Sequence, residues 1–86
     1  MKVRIPTPLY AYTKNRSVVD AEGATLDELT RDLDRRYPGL RFRIVDEQER
    51  IRPHIKIFVN TEQADDLKVG VTQKDDVMII QSFSGG

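Results

Sequence analysis

The chain has 86 residues, enough for one small domain with a single modest core. It contains no cysteine, which excludes disulfide staples, thiolate metal sites and cysteine nucleophiles. Its 14 basic and 14 acidic residues balance, without the basic excess of a nucleic-acid binder or the polybasic tract of a membrane-surface protein, so the expected partners are proteins.

The first residues, Met1-Lys2-Val3-Arg4-Ile5, alternate charged and apolar side chains instead of forming the apolar stretch of a leader, and the run Val77 to Ile80 is far too short to span a bilayer. A soluble, cytoplasmic protein is expected. Val3 and Ile5 recur at the period of a half-buried strand, and Pro6 and Pro8, which lack backbone donors, predict a bend after Ile5. Residues 10–15 read as a polar hairpin loop and 16–20 as a second strand pairing back on the first, with the choice of inward valine between Val18 and Val19 open.

Thr25-Leu26-Asp27-Glu28 is a capping box and predicts a helix starting at Thr25. Leu26, Leu29, Leu33 and Tyr37 form one apolar stripe that a sheet would cover. Asp27 and Glu28 at one end and Arg35 and Arg36 at the other suit the helix dipole, and Pro38-Gly39 stops the helix. Arg31, Asp32 and Asp34 read as a solvated face with i,i+4 pairs such as Asp27 with Arg31.

Within 40–53, Leu40, Phe42 and Ile44 alternate like a strand and 46–49 reads as a turn or charged loop, with no element assigned. Residues 55–60 predict a strand with Ile55, Ile57 and Val59 on one face and Lys56, Phe58 and Asn60 on the other. A polar connection over 61–70, with Ala64 and Leu67 tucked under it, and a turn at 73–76 lead to a last strand, 77–80. That strand is apolar on both faces and therefore central.

A hairpin, one helix and a later pair of strands, with the last strand beside the first, is the β-grasp plan: an α+β domain over 1–81, its mixed sheet of four to five strands packed on one main helix. The second sheet face is then open, and Phe58, Met78 and Ile80 form an apolar patch on it that reads as a partner interface. The competing reading covers Phe58 and Met78 with 40–53 or with a second copy. His54, the one histidine, has no carboxylate constellation and reads as a strand-start residue. Asp65, Asp66, Asp75 and Asp76 read as turn residues without calcium-loop spacing, so no metal site is expected.

The tail 82–86 ends in Gly85-Gly86. Two residues without side chains can enter a slot too narrow for a Cβ, and at roughly 3.3–3.6 Å per residue the tail could carry its carboxylate on the order of 17 Å from the domain. A frayed end is the other reading.

Ile5-Pro6-Thr7, Gly23-Ala24-Thr25-Leu26, Tyr37-Pro38-Gly39, Phe58-Val59-Asn60 and the segment from Asp75-Asp76-Val77 to Gly85-Gly86 follow one another in an order and spacing that resembles the small sulfur carriers of the ubiquitin-like superfamily, the MoaD/ThiS family. Lys74 and Gln81 depart from the glycine and proline of many relatives, which points away from the molybdopterin branch and leaves cysteine-biosynthesis and other accessory carriers.

The resemblance implies that an E1-like activating enzyme, using ATP and magnesium, adenylates the Gly86 carboxylate and that a sulfur donor converts it to a thiocarboxylate. Ser82, Phe83, Ser84 and Gly85 would thread that enzyme's active site, and a biosynthetic enzyme would accept the sulfur. The chain would bind no cofactor and would be a protein cosubstrate with no catalytic residue of its own. A protein modifier joined to target lysines and a noncovalent β-grasp adaptor are the alternatives.

Overall fold

The computed structural model describes residues 1–82. Its strands are β1 (Lys2–Arg4), β2 (Val18–Asp20), β3 (Ile55–Val59), β4 (Glu62–Ala64) and β5 (Val77–Gln81), and its helices α1 (Leu26–Arg36) and α2 (Leu40–Ile44). They form one five-stranded sheet in the order β2-β1-β5-β3-β4. β1 and β5 run parallel and the other neighbours antiparallel. This is the β-grasp arrangement, and the doubly apolar last strand is central, as its composition requires.

Alternation decides the faces. Val3, Val19, Ile55, Ile57, Val77 and Ile79 point into the core, where Leu26, Leu29 and Leu33 of α1 cover them. Val19 is therefore the inward valine. The start of α1 is fixed twice over. Thr25 Oγ1 accepts from the Glu28 N–H at 3.2 Å, and the Glu28 carboxylate accepts from Ala24 N–H at 2.9 Å, one residue before the donor a standard capping box uses. The N–H groups of Leu26 and Asp27, which have no partner inside the helix, donate to the carbonyls of Val69 and Leu67.

Two segments differ from the expectation drawn from sequence, and one that carried no assignment proves helical. Residues 7–12 are a 3-10 turn that buries Leu9 and takes in the first part of the segment 10–15 expected as a polar loop. Leu40, Phe42 and Ile44, whose segment was given no element, lie on α2. Leu40 and Ile44, four apart, are buried, while Phe42 is 55% exposed with the Arg52 guanidinium 4.5 Å above its ring. Gly39 at φ 94 turns the chain into α2, and the Asp34 carboxylate accepts from the N–H groups of Gly39 and Arg41. The second difference is β4, an edge strand inside the supposed polar connection; Ala64 and Leu67 are buried there as expected.

On the helical side Arg41 gathers carboxylates that are distant in sequence. It donates to Thr30 Oγ1 at 3.1 Å, Asp27 at 2.8 Å and Glu49 at 3.1 Å, while Arg31 reaches Asp27 at 3.1 Å and Glu49 at 2.6 Å. Hydrogen bonds from Arg31 hold the Asp27 carboxyl below its ordinary range, and those from Arg41 do the same for Glu49. Folded, both bind a proton less readily than unfolded. Their stabilisation is therefore complete above the unfolded carboxylate range of roughly pH 4 and is lost as pH falls through their lower folded values. The urea midpoint is expected to hold from neutral pH to about 5 and to fall below about 4, less steeply in Arg41→Met. An equally steep fall in that variant would remove the network as its source.

Candidate functional site

The sheet face turned away from α1 is built row by row. β5 sends Val77 and Ile79 inward, so Met78 and Ile80 point outward. Pairing places Arg4 beside Val18 and Met78, Met78 beside Phe58, and Phe58 beside Gln63, so one row of five residues crosses the whole sheet. In the next row Ile80 faces Lys56. Phe58 and Met78 are half-buried and Ile80 is exposed. The three residues expected to share a patch do share it, and α2 packs against α1 and the 3-10 turn on the opposite side. α2 is thus not the cover of this face.

The root of the tail lies beside this row. β3 and β5 pair through Ile55 and Gln81, and His54 carbonyl then accepts from Ser82 N–H at 2.8 Å and Ser82 Oγ at 3.2 Å. On the other flank the ladder between β1 and β5 stops at Arg4 and Met78. The next residues explain why: Ile5 N–H donates to Ser17 carbonyl, Pro6 has no N–H, and Pro6 carbonyl accepts from Leu9 N–H. What remains is a groove of about 390 Å³ lined by Pro6, Pro8, Tyr10, Met78, Ile80 and Gln81 among others. The last described residue is thus tied to β3 and open towards β1.

Phe83, Ser84, Gly85 and Gly86, assigned from sequence to the threading tail, lie outside the described residues. His54 contributes its backbone carbonyl at the root of the tail, at the strand start expected of it. The aspartates organise turns: Asp66 accepts from Lys68 N–H at 2.8 Å, and Asp75 accepts from Thr72 N–H at 2.8 Å and from Asn60 Nδ2 at 3.1 Å. No cluster of three or more histidines and acidic side chains placed to hold a metal ion occurs among the described residues, and no helix there is long and apolar enough to cross a membrane.

Two features were not read from sequence. Asn60, expected on the outward face of a strand, instead ends β3 at φ 59, and its side chain also accepts from Asp76 N–H at 3.1 Å, locking the entry to β5. Arg4 was read only as an outward charge of the first strand; the register sets it in that row between Val18 and Met78.

Comparison with known proteins agrees with this arrangement. Sulfur carrier protein CysO of Mycobacterium tuberculosis is 32% identical over 89 residues, covering 98% of this chain and 96% of that one. The crystal structure of the Amycolatopsis orientalis BexX/CysO complex contains a chain that superposes with a TM-score of 0.90 at 33% identity, covering 99% of this chain and 98% of its own. The small archaeal modifier protein 1 of Methanosarcina acetivorans shares the fold, with a TM-score of 0.79 at 21% identity and coverage of 99% and 94%. Residues 3–86 match the ThiS family as a whole, diglycine included, so the chain belongs to the ThiS family of ubiquitin-like proteins.

Proposed function

We propose that the chain is a sulfur carrier whose Gly86 carboxylate is adenylated and then converted to a thiocarboxylate that gives sulfur to a biosynthetic enzyme. The observation that carries this reading is the family match running through residue 86, together with likeness to a sulfur carrier over nearly the whole chain. A carboxylate anion resists nucleophilic attack. Attack of its oxygen on the α-phosphorus of ATP releases pyrophosphate and leaves an acyl adenylate, from which a sulfur nucleophile displaces AMP. ATP and magnesium belong to the activating enzyme in this scheme. The chain itself supplies the folded handle, Phe58, Met78 and Ile80, and a slim terminus, and acts as a cosubstrate without catalysing a step. A chain with no cysteine has no thiol on which to carry sulfur, which suits a terminal acyl group. In this reading the protein works in the cytoplasm, where ATP is at hand for its activating enzyme.

The test is the intact mass of protein purified from its own cell, with and without a reagent that alkylates thiocarboxylates. Exchange of oxygen for sulfur adds about 16 Da, as does one methionine oxidation, so alkylation must accompany the mass. Sulfur mapped to Gly86 is the expected result. An unmodified terminus together with lysine conjugates would instead identify a protein modifier, and function retained without Gly85 and Gly86 would identify an adaptor.

Phe58→Ala tests the handle. It is expected to weaken binding to the activating enzyme by about 1–3 kcal/mol. Because Phe58 is only half-buried, the stability loss should stay below the roughly 3–5 kcal/mol of a fully buried Phe→Ala change. Denaturant titration and a binding isotherm on the same variant separate the two, and a large loss of stability with unchanged binding would make Phe58 a core residue.

A further inference from the structure

We propose that the open face selects its activating enzyme by charge: Arg4 and Lys56, set among Val18, Met78, Phe58 and Ile80, require two carboxylates on the enzyme surface that covers them. This rests on the carrier reading above and names the chemistry of its partner.

The two cations occupy the patch itself. Arg4 is flanked across the strands by Val18 and Met78, and Lys56 by Ile80, so β5 has a cation beside each of its outward apolar side chains, on opposite flanks. Opposite an arginine or lysine in a sheet a carboxylate would normally stabilise the pair. Here the neighbours on β5 are apolar for both, and only Lys56 has a carboxylate on its other flank, Asp65, which follows the Ala64 paired with Ile57.

The rest of the molecule uses its charges differently. Every ion pair among the described residues joins Arg31, Arg35, Arg36 or Arg41 to Asp27, Asp32 or Glu49 on the helical side. Arg4 and Lys56 are exposed and belong to none of them, although Asp65 lines the same hollow as Lys56. Other exposed cations, Lys68 and Lys74 among them, also stand outside these pairs; what sets Arg4 and Lys56 apart is their place beside the outward apolar residues of β5.

An apolar partner surface that covered Met78, Phe58 and Ile80 would strip water from both charges without replacing it, and this excludes partners lacking carboxylates. A partner carrying them gains specificity and a faster encounter. Two strand spacings across and two residues along the sheet separate Arg4 from Lys56, so their backbones lie about 12 Å apart. The carboxylates on the enzyme should match that span.

The experiment is ATP–pyrophosphate exchange by the purified adenylating enzyme of the same organism, with the full chain as varied substrate at several salt concentrations. Arg4→Glu and Lys56→Glu are each expected to raise KM for the chain at least about tenfold with kcat unchanged, and to flatten its rise with salt. Lys68→Glu, beside the start of α1, should leave KM unchanged, and thermal melts establish that all three variants fold. Unchanged KM and salt dependence in both patch variants would overturn the proposal while leaving the carrier reading standing, provided that deletion of Gly85 and Gly86 still abolishes exchange. Failure of the wild-type chain to support exchange would overturn both.

Discussion

Gly86→Ala is expected to reduce adenylation on the order of 100-fold or more while leaving the melting temperature unchanged, because a displacement of about 1 Å at a reacting atom is enough for that loss. Ser82, the last described residue, is tied to the domain through His54 carbonyl. Four residues beyond it reach at most about 14 Å. A terminus on so short a lead must pass backbone-first into the enzyme, and a Cβ at its tip would hold the carboxylate away from the α-phosphorus. Deleting Gly85 and Gly86 shortens the lead and should abolish the reaction completely. Pyrophosphate exchange measures both variants, and a normal rate for Gly86→Ala would show that the slot tolerates a side chain.

Gly23→Ala should be the most damaging of the glycine substitutions within the folded domain, costing about 1–3 kcal/mol. A Cβ built there lies 2.6 Å from Leu29 N and 2.9 Å from Glu28 C, both backbone atoms of α1 that no rotamer change can move. Relief requires shifting residues 22–25 off the helix. That shift would disturb the Thr25 cap, the bond from Ala24 N–H to Glu28 and the bond from Glu22 N–H to Asp32. Gly70→Ala meets nothing closer than 3.7 Å and should be tolerated, whereas Gly39→Ala is strained because of its φ of 94 rather than by crowding alone. Urea denaturation of the three variants orders them. Equal stability of the Gly23 and Gly70 variants would show that the close approach to α1 is not what demands glycine.

Much of this was legible in the sequence wherever a pattern is long or chemically strict. α1 declares itself through its capping box and a leucine stripe, and β5 through apolar residues on both faces. Phe58, Met78 and Ile80 share a face because a period of two allows nothing else once the strands are paired. The unread parts depend on contacts distant in the chain. Leu40, Phe42 and Ile44 fit a strand by alternation, and Leu40 with Ile44 fit a helix equally well. The choice is made by Gly39 in a left-handed conformation and by Asp34 accepting from the following N–H groups. β4 carries Glu62 and Gln63 and is a strand only because β3 pairs with it. Arg4 reads as an ordinary surface charge until the register shows Val18 and Met78 on either side of it. Its place in the patch follows from sheet order and register together, and the sequence carries no local signal of the register.

The central position of β5 bears on synthesis as well as on docking. β1 with β2, and β3 with β4, are ribbons of near neighbours in the chain, and β5 alone joins them. Isolated two-stranded ribbons are marginal in water, and pairing between distant segments is the slow part of folding. A nascent chain halted before Val77 therefore holds two unconnected ribbons and a helix whose leucine stripe lacks half its cover. It also lacks Met78, the middle of the row that runs from Arg4 to Phe58. An enzyme that recognises that row meets it only on chains whose translation has passed through the strand leading into the tail. Recognition of the sheet would thereby be a check that the polypeptide was made as far as the strand that leads into the tail.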